Sequence, residues 1–270
     1  MSVYKSEKPP YLDRSLQSVW EDQTRKPDEV ILVQDGPVGD ELSTVIGQWK
    51  DKLGEALVLL VNETNLGLTK SLNKGIKVAK GEYIARMDSD DISLPERFLH
   101  QVEFMDSHTD ISVLGGSIQE FNDKDGIIGE RHFPADTASI KQYIHKASPV
   151  AHPAVMIRKS LFDEGVLYNE EYRTTQDLAL WFDVLATGHQ MANLDEYVLQ
   201  FRRETNVYQR RKNKVDSRLE LKIHLKGIKT LFGFSPIKSI YPIARYILRL
   251  MPNSVIHWFY NGKLRGRILK

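Results

Sequence analysis

Three carboxylates occur within four residues in the run Asp88-Ser89-Asp90-Asp91. Like charges this close repel one another, so a positive partner should offset them. A divalent metal is one such partner, because Asp-x-Asp offers two hard oxygen ligands of the kind that Mg²⁺ and Mn²⁺ bind together with phosphate oxygens and water. A loop whose aspartates cap the following helix, with Pro95 in its first turn, explains the run equally well. The run by itself supports both interpretations.

A second acid, Asp35, follows the apolar run of residues 29–34, just as Asp88 follows that of residues 82–87. In an open α/β sheet, ligands bind outside the carboxyl ends of the strands. The tripeptide Asn65-Leu66-Gly67 lies between the two acids in the chain. The combination of these segments is much more specific than the acidic run alone.

With this combination, the sequence resembles the family 2 glycosyltransferases, which have the GT-A fold. The resemblance covers roughly residues 1–205, in the family's order and spacing, and is nearest to the bacterial exopolysaccharide, capsule and O-antigen enzymes. The stretches that carry it are 2–4 (SVY), 33–36 (VQDG), 65–75 (NLGLTKSLNKG), 81–91 (GEYIARMDSDD), 152–159 (HPAVMIRK) and 176–181 (QDLALW).

The resemblance implies roles for individual side chains. Tyr4 would cover the base and ribose of a nucleotide-sugar donor, and Asp35 would hydrogen-bond the base, usually uracil. Asn65 would belong to the same donor site. Asp88 and Asp90 would match the Asp-x-Asp motif, in which the carboxylates contact the ribose and bind the Mg²⁺ or Mn²⁺ that bridges the donor phosphates.

Asp177 would match the family's general base, which takes the proton of the acceptor hydroxyl as that hydroxyl attacks the sugar. A single displacement of this kind inverts the anomeric configuration. The residues alone favour a simpler role, with Thr174 or Thr175 capping a helix and Asp177 in its first turn; the resemblance reverses that preference. The family's usual Glu-Asp pair is Gln176-Asp177 here, and Gln176 can hold an acceptor hydroxyl but cannot act as a base.

Four further polar residues have weaker support. His152 would contact the acceptor or the pyrophosphate, or would be a structural histidine beside a proline turn. Arg86, which alternates with an apolar residue along a strand, would pair with a nearby carboxylate. Arg202 and Arg203 would reach the donor phosphates or face solvent, and the solvated alternative is favoured.

The elements that must position these residues follow an alternating pattern. Short apolar runs separated by helical segments of about ten residues predict βαβ units and a parallel sheet. We expect an α/β fold over residues 1–205, as a GT-A, Rossmann-like, mostly parallel sheet with helices on both faces, and a basic helical extension over residues 206–270. Strands are expected at 29–34, 56–61, 82–87, 111–121 and 155–158, and helices at 11–23, 42–53, 69–80, 95–106 and 177–186.

The first strand is expected to be truncated. A GT-A sheet needs a central strand of about five apolar residues before Ser2-Val3-Tyr4, and Met1 stands alone there. Met1 would then be an internal methionine of a longer chain. Losing an interior strand leaves backbone groups unpaired on both flanking strands.

Composition excludes several classes of protein. The chain has 270 residues, is 41% hydrophobic and has no cysteine, which excludes general disorder, a disulfide scaffold, a thiolate zinc site and a cysteine nucleophile. The sequence shows neither a signal-peptide pattern nor an apolar run long enough to span a bilayer, so we expect a cytoplasmic protein. The net charge of +1 combines −13 in residues 1–200 with +14 in residues 201–270.

An apolar stripe at helical spacing lies within the basic region. It consists of Ile237, Ile240, Tyr241, Ala244, Ile247, Leu248 and Met251. Such a helix lies on an anionic membrane surface, here the cytoplasmic face, or packs on the catalytic domain. No nucleic-acid recognition motif accompanies the charge, so nucleic acid is not an expected partner.

The expected function is metal-dependent, inverting transfer of a sugar from a nucleotide-sugar, in the first instance a UDP-sugar, to a hydroxyl of a polysaccharide or lipid-linked saccharide. One alternative is a sugar nucleotidyltransferase, although residues 2–10 lack the Gly-rich basic loop of that class. The other is a scaffold that binds nucleotide-sugars without catalysis.

Overall fold

The structure is a computed structural model that describes residues 1–203 and 214–250. The expected boundary at residue 205 lies outside the described residues, as do Met251 and the aromatic and basic residues that follow it. The division into a catalytic domain and a C-terminal extension therefore stays a prediction.

Most of the expected elements are present, within a few residues of their expected ends. The strands are β1 (Ser2–Val3), β2 (Val30–Asp35), β3 (Leu57–Asn62), β4 (Tyr83–Ala85), β5 (Ile92–Ser93), β6 (Ile111–Asn122), β7 (Gly126–Arg131), β8 (Met156–Arg158) and β9 (Gln190–Arg202). The helices are α1 (Pro9–Trp20), α2 (Asp40–Leu53), α3 (Leu68–Val78), α4 (Arg97–Ser107), α5 (Thr137–Tyr143), α6 (Lys159–Asp163), α7 (Gln176–Ala186), α8 (Lys214–Phe232) and α9 (Pro236–Leu250). Short 3₁₀ turns occur at Gly54–Ala56 and His152–Ala154.

Local sequence signals explain where the first helices begin. Pro9 opens α1, where its fixed φ suits the first turn and its missing N–H is not needed. Helix α2 has Asp40 and Glu41 in its first turn and Lys50 and Lys52 in its last, so that charges of both signs complement the helix dipole.

The strands form two sheets rather than one. The first sheet is parallel with the order β1-β2-β3, and Asp35 is the last residue of β2. The second has the order β4-β8-β6-β9-β5, with β7 paired to β6. Within it β6 and β9 run parallel, whereas the other pairs are antiparallel.

The α/β fold class is as expected, while parallel pairing among the described strands is confined to β1-β2-β3 and to β6 with β9. Strand β1 pairs with β2 through two residues, and no ladder of the described strands joins β2 to β4. A cavity of about 380 Å³, lined in part by Val30, Ile31 and Ile84, lies between those two strands. The ammonium of Met1 donates to the Ile31 carbonyl at 2.8 Å there, and burial lowers the pKa of this ammonium to about 5.

Two apolar cores hold the sheets and helices together. The first joins α1, α2 and α4 to both sheets, with Leu16, Leu32 and Phe98 among its buried members. The second surrounds α7, whose Trp181 is fully buried, and extends to Ile223 of α8. The second core fixes the N-terminal end of α7, where Asp177 lies.

Helix α8 lies in the segment expected as a basic helical extension, but its bounds were not predicted, because the segment is polar and basic overall. It packs on α7 through Ile223 and Ile228. Gly227 makes close approach possible, since a Cβ at that position would lie 2.2 Å from the Phe182 ring. Helix α9 then packs on α8. Among the described residues, no helix has both the length and the apolar character needed to cross a membrane.

Candidate active site

A cluster of carboxylates lies between β4 and β5. Asp88, Asp90 and Asp91 each bring an oxygen into a group whose members are within 4.8 Å of one another. Asp91 is buried, and its Oδ2 has no hydrogen-bond partner among the described residues. These hard oxygen donors are the ligands that Mg²⁺ and Mn²⁺ take. The residues present therefore fit the divalent metal that the sequence predicts.

The carboxylates of the cluster repel one another when all are ionised. Burial raises the pKa of Asp90 to about 6, and the charges of Asp88 and Glu7 add to that rise. Burial also raises the pKa of Asp91, again with Asp88 and Asp90 contributing. A cation held by the carboxylates would lower the free energy of their ionised forms.

The helix-capping alternative for the acidic run is wrong. Helix α4 begins at Arg97, and its N-cap residue is Glu96. Asp90 and Asp91 lie before strand β5, well upstream of that cap. A metal or charge-pairing role is therefore left for the cluster.

Arg86 pairs with the cluster, as expected. Its guanidinium is buried and contacts Asp88 through Nη2. Burial is the largest single effect and lowers the pKa of Arg86. The charge and hydrogen bond of Asp88, together with Tyr168 and Asp91, outweigh it, so the pKa is raised. Its Nε and Nη1 have no hydrogen-bond partner among the described residues. Those two donors give the site hydrogen-bonding capacity for an anionic ligand.

Arg202 anchors the cluster from β9, and the favoured expectation that it faces solvent is wrong. Its side chain is 5% exposed, and its backbone N–H donates to Asp91 Oδ1 at 2.7 Å. Its Nε donates to the Asp90 carbonyl at 2.7 Å, and its Nη1 pairs with Asp123. The guanidinium also lies 3.8 Å from the ring centre of Tyr11. Arg203 points elsewhere and pairs with Glu120 at 2.5 Å.

Asp35 and Asn65 form a second group at the end of β2. The buried Asp35 carboxylate accepts from the backbone N–H groups of Leu66 and Gly67, at 2.8 and 2.9 Å. It also accepts from Asn62 Nδ2 at 2.9 Å, while Asn65 Nδ2 donates to the Asp35 carbonyl at 3.2 Å. The contacts of Asp35 thus hold the loop before α3, and its contact with a base stays a prediction.

Tyr4 and the loop after it border the acidic cluster. Tyr4 is exposed, and its carbonyl accepts from the Glu7 N–H at 3.0 Å. Glu7 in turn accepts from Ser89 Oγ, a residue inside the acidic run. An exposed aromatic ring on this loop is available to a bound base, as the resemblance implies for Tyr4.

Asp177 lies in the first turn of α7, half-buried. Burial is the main cause that raises its pKa; the charge of Arg86 lowers this pKa and the charge of Asp88 raises it. Asp177 therefore shares one electrostatic site with the acidic cluster. Thr175 precedes the helix with a φ of 61° and makes no capping hydrogen bond through its side chain among the described residues.

Gln176, which precedes Asp177 in the chain, and His152 are both buried but differ in their hydrogen bonding. Gln176 is buried, and its Oε1 has no hydrogen-bond partner among the described residues. His152 is buried against Trp181, and its Nε2 lies 2.7 Å from the Tyr168 hydroxyl. Burial holds the pKa of His152 well below its ordinary value. These contacts are those of a structural histidine, so its contact with substrate stays a prediction.

The sequence did not single out four residues of this site. They are Glu7, Tyr11, Asp123 and Tyr168, which contact Ser89, Asp123, Arg202 and His152 respectively. Each of these residues contacts a partner at least 16 positions away in the chain, so no local spacing connects the two. The acidic turn of residues 122–125 is the one signal that local sequence offers.

Comparison with known proteins agrees with this geometry. Residues 1–166 match the family model described as glycosyl transferase family 2. The chain is 33% identical over 271 residues to the amylovoran biosynthesis glycosyltransferase AmsE of Erwinia amylovora, covering 98% of each chain. It is 31% identical to the UDP-Gal:alpha-D-GlcNAc-diphosphoundecaprenol beta-1,3-galactosyltransferase of Escherichia coli, covering 98% of this chain and 95% of that one.

Solved structures confirm the GT-A fold. The S. aureus TarS 1–349 complex with UDP-GlcNAc superposes with a TM-score of 0.66 at 20% identity, over 100% of this chain and 75% of that one. The mannosyltransferase PcManGT of Pyrobaculum calidifontis, in complex with GDP-Man and Mn²⁺, superposes with a TM-score of 0.64 at 13% identity, over 99% and 76%.

Proposed function

Because the chain belongs to glycosyl transferase family 2 and is a glycosyltransferase, we propose that it transfers a sugar from a UDP-sugar, with inversion, to a hydroxyl of a lipid-linked saccharide in polysaccharide biosynthesis. The two named relatives support the substrate classes. One is named for amylovoran biosynthesis, and the other for a UDP-linked donor and a diphosphoundecaprenol-linked acceptor.

One observation carries the proposal. Arg86 pairs with Asp88 of the acidic cluster, and its charge also acts on Asp177. A candidate base and a candidate metal site are thus coupled through one buried guanidinium. This combination suits inverting transfer, in which the base activates the hydroxyl on one face of the sugar and the metal site stabilises the diphosphate that leaves from the other.

The acidic cluster would hold the donor diphosphate through a divalent metal. Asp88 and Asp90 are the proposed Mg²⁺ or Mn²⁺ ligands, and Asp91 offers a further oxygen. When bound, the ion supplies Lewis-acid stabilisation of the charge on the departing nucleoside diphosphate. Arg202 fixes the positions of Asp90 and Asp91 through its backbone and side-chain donors.

Asp177 would act as the general base. A carboxylate there accepts the proton of the acceptor hydroxyl as the new glycosidic bond forms. Gln176 supports it from the preceding position, where its Oε1, unpaired among the described residues, would accept a hydrogen bond from a second acceptor hydroxyl. Tyr4 and Asn65 would line the base and ribose side of the donor, and Asp35 would hold the loop that carries Asn65.

A lipid-linked acceptor places the reaction at a membrane. We propose the cytoplasmic face, where nucleotide-sugars are made, as the place where the enzyme works. The acceptor saccharide would then enter from the membrane side and present its hydroxyl to Asp177.

The experiment that tests the proposal is a donor and acceptor screen. The purified chain is incubated with Mn²⁺, a polyprenyl-diphosphate GlcNAc acceptor, and UDP-, GDP- or CDP-linked sugars in turn, and products are read by mass spectrometry. The proposal expects one UDP-sugar to give a lengthened lipid-linked saccharide. Product from a GDP- or CDP-sugar alone, or donor binding without any transfer, would contradict it; the latter outcome would favour the scaffold.

A further inference from the structure

The C-terminal helical pair presents an apolar stripe to the outside of the molecule. Ile237 and Ile240 of α9 are 81% and 63% exposed. Ile243, Ile247 and Leu250 are exposed as well, and Phe234 lies just before the helix. The spacing of three and four residues places these side chains on one face of α9. The exposed side chains contradict the alternative in which this part of the stripe packs on the catalytic domain.

The basic residues of α9 face the other way. Arg245 and Arg249 both pair with Glu220 of α8, the former at 3.1 Å. Lys238 lies 4.4 Å from the ring centre of Phe232. The cations that α9 itself supplies are therefore used to attach it to α8 and leave its outer face apolar.

Helix α8 supplies exposed positive charge beside α9. Four exposed cations follow one another along it: Arg218, Lys222, Lys226 and Lys229. They line a shallow groove together with Leu221 and Leu225 of the same helix and Tyr246 of α9. The α8 side chains are described from residue 217 onward, and Glu220 is the one acid among them. It pairs with Arg245 and Arg249 of α9. This cationic row and the isoleucine stripe are hereafter called the docking face.

We propose that the docking face attaches the protein to an anionic lipid surface, with the α9 stripe at the boundary of headgroups and acyl chains and the α8 cations on the headgroups. Apolar side chains flanked by a row of Lys and Arg are the composition that binds an anionic interface. Each Lys or Arg near such a surface contributes about 1 kcal/mol, so four are enough for reversible attachment.

Charge distinguishes lipid from a second copy of this chain. A two-fold symmetric dimer through the docking face would bring the same patch of both copies together. Such an interface would enclose the four exposed α8 cations of each copy, and Glu220 is already paired with the arginines of α9, so the positive charge would repel across it. An anionic membrane surface complements the same cations and also accepts the isoleucines. The proposal goes beyond the transfer reaction, since attachment is measurable without any substrate.

Co-sedimentation of the full chain with vesicles tests the charged part of the face. The vesicles contain phosphatidylcholine with a rising fraction of phosphatidylglycerol. The Lys222→Glu/Lys226→Glu variant should bind anionic vesicles at least about tenfold more weakly than the wild type. The matched control is Lys70→Glu/Lys77→Glu, which reverses two exposed lysines of α3 for the same change in net charge and should bind like the wild type.

A second pair of variants tests the apolar part. Ile240→Ser/Ile247→Ser should lower vesicle binding by about tenfold or more, since each residue loses its transfer into the interface. The control is Ile127→Ser/Ile128→Ser, which changes two exposed isoleucines of β7. All four side chains are exposed, so both variants should melt at the wild-type temperature.

Three results would overturn the proposal. The first is a wild-type chain that stays in the supernatant with anionic vesicles. The second is a loss of binding in the α3 control as large as that in the α8 variant, which would assign binding to bulk charge. The third is an Ile240→Ser/Ile247→Ser variant that binds vesicles normally but converts a dimer to a monomer by light scattering, which would assign the stripe to a second copy. None of these results bears on whether the chain transfers sugar.

Discussion

Asp177 is the residue whose protonation state governs the proposed reaction. Its carboxyl is half-buried at the start of α7, and burial raises the pKa of Asp177 above the ordinary value of about 4. A higher pKa makes a carboxylate a better proton acceptor, which suits a general base. The same burial means that ionisation of Asp177 lowers the stability of the folded state.

Replacing Asp177 by Asn should separate activity from stability. The Asp177→Asn variant should lose about 10²–10⁴ in kcat and keep its affinity for UDP, because donor contacts remain. A raised folded pKa means that ionisation destabilises the fold as pH rises through it, so removal of the charge should leave Tm unchanged or higher at neutral pH. Kinetics, UDP titration and thermal melts measure the three quantities. A wild-type kcat would return Asp177 to the role of a helix-terminus charge.

The pH dependence of the wild type follows from the same shift. The base must be ionised to act, so kcat should fall as pH is lowered, with a midpoint above the ordinary Asp value of about 4. A profile of kcat against pH at saturating donor and acceptor checks this. A midpoint at or below the ordinary value would contradict the assignment of a buried carboxylate as the base.

Arg202 shows why sequence alone could not predict the whole site. Its partners Asp91, Asp90 and Asp123 lie 111, 112 and 79 residues away in the chain. Nothing local marks it as buried, and an arginine at a strand end is usually solvated. The candidate metal ligands, by contrast, adjoin one another in sequence, and their clustering was predicted from spacing alone.

Neighbouring arginines offer a matched test of this difference. Arg202→Met should lower the free energy of unfolding by about 1–3 kcal/mol, because it removes the Nε donor of the part-buried Asp90 carbonyl and the ion pair with Asp123, although the backbone N–H bond to Asp91 is kept. Arg203→Met should cost about 1 kcal/mol or less, since the Arg203 side chain is 37% exposed. Denaturant unfolding measures both values. Equal losses would show that Arg202 is not the anchor of the cluster.

The secondary-structure elements were predicted with unequal success. Strands β2 and β3 and helices α2 and α7 agree with their sequence patterns within two residues at each end, because buried strands and amphipathic helices have clear periodicities. Helix α8 lies within the predicted helical extension, but its bounds were not predicted, since its inward face consists of a few apolar residues and Gly227 among many basic ones. The contact of Gly227 with Phe182 depends on tertiary packing, which local patterns do not report.

The packing of α8 on α7 gives a test at this scale. Gly227→Ala would place a Cβ 2.2–2.5 Å from atoms of the Phe182 ring, so it should destabilise the fold by about 1–3 kcal/mol. Gly47→Ala in α2 meets nothing within 4 Å and should stabilise by up to about 1 kcal/mol through helix propensity. Thermal or denaturant melts measure both. Stabilisation by Gly227→Ala would show that α8 does not pack closely on α7.

The whole molecule joins two sheets through helices and apolar cores. The sequence predicted the GT-A fold, and the fold comparisons confirm it. It did not predict that the described strands would divide into two sheets, because strand pairing depends on which strand edges meet in space. The uneven distribution of charge is also a property of the whole chain, with −13 in residues 1–200 and +14 in residues 201–270.

Metal dependence of donor cleavage tests the proposed function most directly. The measurement is the rate of UDP release from the UDP-sugar that the screen selects, with Mn²⁺ and then with excess EDTA, for the wild type, Asp90→Ala and the exposed control Asp110→Ala. We expect release by the wild type and Asp110→Ala with Mn²⁺, and loss of release in EDTA and in Asp90→Ala, because Asp90 belongs to the carboxylate cluster. Undiminished release by the wild type in EDTA, or by Asp90→Ala with Mn²⁺, would contradict the account.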